Sequence, residues 1–329
     1  MARFLCLVLF VSFLIAPSGV VHADEGMEAT GAEATETEAT ESKAAEESSE
    51  AAAEEAEKPV KTFGPDYPVR FARRPLVLAE GMVRADGRLT VGGVTGTGTF
   101  SALDLGGAVS PIENLEVGLS TELTGGAPAP GGNSLISIIF SPQASYGDIP
   151  IYARYKFLES GPAQLAVDFM LVLPTNTDFQ MRAALPLRVI ELFGFATVEG
   201  SFAVGYRNGD KYAAFTPNPS KNTGEFSYVG GASINITDNG YVETGGGVAL
   251  VNVGGGDGAK NVIEIPFYVG GGYTYEGKVL VDIFTQFGFE PLMTANGPAG
   301  IDTFNVGDDW YITLGASVHT KSLFGKNKK

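Results

Sequence analysis

The amino-acid sequence predicts an all-β protein, an antiparallel up-and-down transmembrane β-barrel of about 12 strands. Between residues 81 and 320, apolar and polar side chains alternate in segments of ~10 residues, joined by connections that are short and long in turn. The clearest segment, residues 151–157, places apolar side chains on one face and Tyr152, Arg154 and Lys156 on the other. Alternate residues of a strand point to opposite sides of a sheet. An apolar outside and a polar lumen therefore suit a barrel in lipid.

A targeting segment is predicted at the N-terminus. Arg3 is followed by an apolar run over residues 4–15 and then by the small residue Ala23. This order is typical of a secretory signal peptide, here residues 1–23, and the run is shorter than the ~20 residues of a membrane helix. The only cysteine, Cys6, lies within it, so we expect a mature chain with no disulfide and no thiolate metal site.

An acidic segment follows, and the remaining domain boundaries are set from it. Residues 24–58 are rich in Ala, Glu and Thr and carry 13 acidic residues against two lysines, in a chain of net charge −16. Such a composition has little to bury and predicts disorder, with cation or partner binding as an open alternative. We expect a periplasmic lead-in at 59–80, the barrel at 81–324 and a basic C-terminal tail at 325–329.

The connections give the predicted topology. Strands are expected at 82–92, 97–109, 115–124, 150–158, 163–174, 179–190, 195–207, 226–236, 241–253, 262–275, 279–289 and 310–320. Tight turns of Gly, Pro, Asn or Asp follow the even-numbered strands near 111–114, 159–162, 191–194, 237–240 and 276–278. Longer loops are expected at 125–148, 208–225, 254–261 and 290–309. Outer-membrane barrels keep their short turns in the periplasm, so both termini are expected there.

Over residues 81–324 the chain resembles the Gram-negative outer-membrane β-barrel class. The resemblance is architectural and is supported by the last strand, which alternates from Trp310 to Val318 and is followed by Phe324. It implies the outer membrane of a Gram-negative bacterium, contact with lipid and insertion by the barrel-assembly machinery, and it leaves the oligomeric state open. A secreted soluble β-sandwich with adhesive loops is the competing fold.

Two features oppose a regular barrel. Pro186 and Pro266 fall inside predicted strands, where they would face the lumen although proline cannot donate to a strand ladder. Glycines also cluster at 245–247 and 270–272. Bulges, strong bending or close packing of lumen contents are the expected explanations.

Charged residues on the predicted inner faces give the candidate site. Basic residues concentrate on the fourth and sixth strands and acidic ones on the ninth to eleventh, which predicts two facing walls of opposite charge. The predicted pore-lining residues are Arg154, Lys156, Arg182, Arg188, Glu243, Glu264 and Asp282. Charged rings can set ion selectivity in a pore, whereas a narrow barrel can use the same charges to fill a closed lumen.

Other chemistry finds less support. His319 lies two residues from Ser317, but no motif of a serine hydrolase surrounds them, so no enzyme is predicted. No cofactor or metal is expected, residues 254–258 are predicted to form a glycine-rich loop, and the negative charge argues against nucleic acid. The predicted function is a passive channel or small-solute uptake protein with a mixed-charge lumen. The alternatives are a plugged structural or anchoring barrel with an acidic periplasmic tail, and an outer-membrane lipid-modifying enzyme.

Overall fold

The computed structural model describes residues 62–63, 67–94, 98–119, 136–141, 145–175, 179–192, 195–209, 221–253, 260–295 and 309–321. Its strands are β1 (Thr62–Phe63), β2 (Tyr67–Pro68), β3 (Val83–Val94), β4 (Gly98–Ile112), β5 (Leu115–Leu119), β6 (Ile136–Ser141), β7 (Ser145–Tyr146), β8 (Ile149–Ser160), β9 (Ala163–Leu173), β10 (Gln180–Leu192), β11 (Ala196–Asn208), β12 (Asn222–Asn235), β13 (Gly240–Val253), β14 (Lys260–Glu276), β15 (Leu280–Ala295) and β16 (Trp310–His319). A short 3₁₀ helix spans Phe71–Arg73. Among the described residues, no helix is long and apolar enough to cross a membrane.

Twelve of the described strands, β3–β5 and β8–β16, close into one antiparallel barrel. Each pairs with its neighbours in chain order, and β16 returns to β3, where Leu314 lies opposite Leu89. Closure leaves none of these twelve strands at an edge of the sheet. The predicted fold class is confirmed, and each of the twelve predicted strands coincides with one of the barrel strands. A β-sandwich is excluded because a single sheet closes on itself.

The burial pattern of the barrel is inverted relative to that of a soluble protein. Leu314 is 57% exposed on the outside of β16, whereas its neighbour Thr313 is fully buried on the inside. The same alternation continues on β3, where Leu89 is exposed and Arg88 is buried. Large apolar side chains facing out and polar ones facing in are the arrangement that a lipid environment requires.

The third strand of the barrel wall, β5, differs from the predicted strand at 115–124. Leu119, the last residue of β5, lies opposite Gly107 of β4, and Ile136, the first of β6, lies opposite Leu105. Thus β6 continues the line of β5, and β7 pairs with β6. The predicted 125–148 loop is therefore wrong in part, because it contains two strands. The predicted strand residues 120–124 lie outside the described residues.

Both prolines occupy irregular positions in the wall. Pro186 is buried on the inner face; β10 keeps its register with β11 there, while its pairing with β9 is interrupted. At Pro266 the register between β14 and β15 shifts. Local irregularity accommodates the missing N–H donors, as expected for proline within a sheet.

Glycine lets inner-face aromatic rings lie flat against the wall. Six glycines stand directly opposite an aromatic residue of the adjacent strand, and a Cβ built on any of them would fall 2.3–2.7 Å from that ring or its hydroxyl. No side chain other than glycine leaves that space. The pairs are Gly92–Phe100, Gly118–Tyr152, Gly245–Tyr268, Gly272–Tyr241, Gly288–Tyr311 and Gly315–Phe284. Close packing thus accounts for part of both predicted glycine clusters.

Candidate functional site: the lumen and the segment inside it

The lumenal segment, residues 67–82, lies inside the barrel at the end where the short turns are. Arg74 is 4% exposed and donates two hydrogen bonds to Asp282 of β15, at 2.5 and 2.8 Å, and one to Thr274 of β14 at 3.2 Å. The 3₁₀ helix of the lumenal segment contacts β10, β11, β12 and β13, which form another part of the barrel wall. The segment therefore reaches across the turn-side end of the lumen.

Wall side chains satisfy the backbone of this segment. Arg188 donates to the carbonyl of Arg74 at 2.7 Å, and Arg154 donates to the carbonyl of Leu76 at 3.0 Å. The N–H of Leu76 donates to Gln164. Two further bonds join the N–H of Leu78 to Glu116 and the hydroxyl of Thr197 to the carbonyl of Ala72. An extended chain buried in a lumen needs such partners, because unpaired backbone groups are costly away from water.

Two more arginines of the segment bind acidic residues near the turns. Arg70 pairs with Asp238 in the turn between β12 and β13, and Arg73 pairs with Glu191 near the end of β10. Glu191 has a positive φ of 53° at a register shift in β10. Such a bulge re-aims a side chain.

Apolar contacts complete the seating of the segment. The ring of Phe71 stacks on that of Tyr241 of β13 at 3.8 Å between centroids. Val69 and Leu78 are 1% and 2% exposed and belong to one cluster with the inner-face residue Tyr152. Burial of such side chains stabilises by roughly 1.5–3 kcal/mol each.

Arg74 stays charged in this environment. Burial alone would lower the pKa of its guanidinium, but neighbouring Tyr67 and Asp282 raise the pKa above its usual value. The pair with Asp282 is therefore ionic, buried and bidentate, the geometry in which arginine binds carboxylate most strongly.

A cavity of about 250 Å³ lies next to the segment in the lumen. Charged and polar side chains from around the wall line it, among them Arg84, Glu199, Glu243, Tyr268 and Gln286. The lumen is thus filled at the lumenal segment and retains polar space beside it.

The fold is a closed antiparallel β-barrel with an apolar outer face. No protein-family model and no curated protein matches the chain. Similar solved structures include an outer membrane channel from Pseudomonas putida F1, 10% identical with a TM-score of 0.47, covering 74% of this chain and 97% of that one. The NanC porin is 8% identical with a TM-score of 0.42, covering 73% and 99%. An anion-selective porin from Comamonas acidovorans is 12% identical with a TM-score of 0.32, covering 73% and 98%.

All seven predicted pore-lining residues lie at inner-face positions of their strands. Three of them, Arg154, Arg188 and Asp282, bind the lumenal segment. Arg154, Arg188, Glu243 and Asp282 also line the cavity. That these residues line a conducting pore stays a prediction.

Acidic partners lie close to the basic residues of the predicted wall. Arg154 of β8 binds Asp168 of the adjacent strand β9 at 2.6 and 2.7 Å. Arg188 of β10 binds Glu199 of the adjacent strand β11 at 2.7 Å. Lys156 pairs with Glu159 on the same strand. These three basic residues are thus paired locally, with a carboxylate of the adjacent strand or of the same strand. That two walls of opposite charge face each other across the lumen stays a prediction.

The Ser317–His319 arrangement of a hydrolase is not formed. Ser317 donates to Asp86 at 2.7 Å, while His319 contacts Asp282 at 2.9 Å. Within the described residues, no group of three or more His, Cys, Asp or Glu could hold a metal ion. The polar residues here pair with one another and with the lumenal segment.

Proposed function

We propose that this protein is a passive outer-membrane channel for ions or small polar solutes, narrowed at its turn-side end by the lumenal segment. The observation that carries the proposal is the cavity of about 250 Å³ between that segment and the charged inner wall. Side chains can fill the interior of a barrel of about eight strands, and a barrel of twelve strands is wider. Polar space inside the lumen instead supports the passage of water-soluble molecules.

The charge distribution supports a weak preference between cations and anions. Arg154 and Arg188 each lie within 2.7 Å of a wall carboxylate, and Arg182 lies 3.7 Å from Glu225. Rings of one sign create strong selectivity. Paired charges cancel much of each other's field, so we infer that small solutes of either sign pass.

The proposal places the chain in the outer membrane of a Gram-negative bacterium, exported with a signal peptide cleaved after Ala23. Support comes from the apolar outer face together with the targeting pattern at the N-terminus. Cell fractionation and N-terminal sequencing of the purified protein test this. A protein recovered in the soluble periplasmic fraction would contradict it.

Planar-bilayer recording tests the channel itself. We expect small, stable conductance steps from the purified full chain and a reversal potential near zero in a salt gradient. Arg182→Gln removes a positive charge beside Glu225, so the reversal potential is expected to move toward cation preference. Lys278→Gln makes the same charge change at an exposed turn and serves as the matched control.

A plugged anchoring barrel is the second candidate. The bonds that wall side chains make with the backbone of the lumenal segment favour it, since they hold the segment within the turn-side end of the lumen. Folded protein, identified by different gel mobility before and after boiling, that gives no conductance would select this candidate over the channel.

A further inference from the structure

Six buried or half-buried wall side chains that bind the lumenal segment also have partners within the wall. Arg154 binds Asp168 as well as Leu76, and Arg188 binds Glu199 as well as Arg74. Four other buried wall residues that hold the segment also have a second partner within the wall: Glu116 with Tyr152, Gln164 with Glu159, Thr197 with Glu191, and Asp282 with Thr274 and His319. Removing the segment would leave none of these six side chains without a partner.

The lumenal segment is attached differently from a wall strand. The hydrogen bonds that join residues 67–80 of the segment to the wall, as described above, each use a wall or segment side chain. The wall strands, in contrast, are joined to one another by continuous backbone hydrogen bonds. At its end, Gly81 has a φ of 77° and donates to Ser110, and Ser110 in turn donates to Met82. Glycine adopts this left-handed conformation without steric cost, and the backbone bonds with Ser110 mark the point where the segment joins the wall.

One ion pair dominates the attachment. Arg74 and Asp282 are 4% and 3% exposed and joined by two hydrogen bonds, and Thr274 is bonded to both. The pair between Arg70 and Asp238 is different, because the Asp238 side chain is 68% exposed. Exposed pairs contribute little, whereas breaking a buried pair from one side is strongly destabilising.

We propose that the lumenal segment is an internal gate that turns out of the lumen about Gly81 and is latched shut by Arg74 and Asp282. Release leaves these six wall side chains paired within the wall and transfers Arg74 to water. The buried side chains of Val69, Leu76 and Leu78 oppose release and return the segment to the lumen. The effect of the gate on conductance rests on the proposed channel function; its movement does not.

Thiol labelling measures the movement directly. Val69 is 1% exposed, and Val69→Cys introduces a thiol of similar size that is buried while the gate is shut. Adding Arg74→Gln is expected to raise the maleimide labelling rate in lipid vesicles by about tenfold or more, since a buried ion pair is lost. Adding Arg70→Gln instead is expected to change the rate much less. Asp282→Asn breaks the latch from the wall side and provides an independent variant. The chain without Val69→Cys gives the background of Cys6, if it is retained.

The labelling rate tests the gate, and the conductance tests the channel. Faster labelling and larger conductance in both latch variants, each verified as folded by gel mobility before boiling, support gate and channel together. Faster labelling with no conductance in any variant supports the gate and overturns the channel. Conductance in all variants with one common labelling rate at position 69 supports the channel and overturns the gate.

Discussion

Gly118→Ala is the most informative single test of how the inner wall is packed. A Cβ at Gly118 would lie 2.5 Å from the ring of Tyr152 and 2.6 Å from the backbone carbonyl oxygen of Gly107. Carbon atoms prefer separations of about 3.5–4.0 Å. Tyr152 could tilt away, but a backbone oxygen held in the β4–β5 pairing cannot move far. The substitution therefore strains both the ring and the strand.

The magnitude follows from the contacts. Forcing one carbon into a packed interior costs about 1–3 kcal/mol. Tyr152 also donates to Glu116, which accepts from the N–H of Leu78, so a tilted ring loosens the lumenal segment as well. We expect a loss of about 2 kcal/mol, which lowers the ratio of folded to unfolded protein about 30-fold.

Gly224→Ala is the matched control, because a Cβ there meets no atom within 4 Å. Where the backbone tolerates a side chain, this change stabilises by about 0.4–1 kcal/mol through the unfolded chain. Urea unfolding in lipid vesicles, followed by the fluorescence of the single tryptophan Trp310, gives both values. A Gly118→Ala midpoint equal to that of the unsubstituted chain would refute the packing.

Three further changes test other parts of the structure. Leu314→Arg places a charge on the outer face at a position that is 57% exposed. In vesicles this substitution should lower the free energy of unfolding by about 2–4 kcal/mol, whereas Leu314→Phe should change it little. Equal stability of the two variants would argue against lipid contact. Arg154→Met leaves Asp168, 1% exposed, without its ionic partner and should destabilise by about 3–5 kcal/mol in the same assay, whereas Lys278→Gln at an exposed turn should have little effect. Single cysteines at 217 and 239 should be labelled by an impermeant maleimide in intact cells only at 217; labelling at 239 alone would invert the topology.

The wall was predictable because its rule is local. Alternation fixes which face each residue takes, so the inner-face placement of residues as far apart as Arg88 and Asp282 follows from sequence. Even Pro266 was correctly placed on a strand, with a shift of register beside it. The sequence analysis missed that the third strand of the wall is continued by β6 after β5 ends. A strand that resumes after 16 residues has the same sequence pattern as a loop followed by a short strand.

The lumenal segment could not be predicted from alternation. Its side-chain hydrogen bonds with the wall join residues that lie from 38 positions apart, as in Leu78 with Glu116, to 208 positions apart, as in Arg74 with Asp282, and no periodicity encodes them. The one available signal was composition: Arg70, Arg73 and Arg74 occur within a short apolar stretch that is unlike the acidic segment before it. Local charge pairing was missed for a related reason, since the cross-strand register that sets Arg154 opposite Asp168 depends on turn geometry.

The conductance of the full chain, compared with that of the Arg74→Gln variant, tests the central claim most directly. Both proteins are recorded in bilayers of the same composition, and gel mobility before boiling verifies that both are folded. We expect small, stable steps from the unsubstituted protein and larger or more frequent ones from Arg74→Gln, because Asp282 then no longer holds the lumenal segment in the lumen. Two folded proteins that both leave the bilayer electrically silent would contradict it.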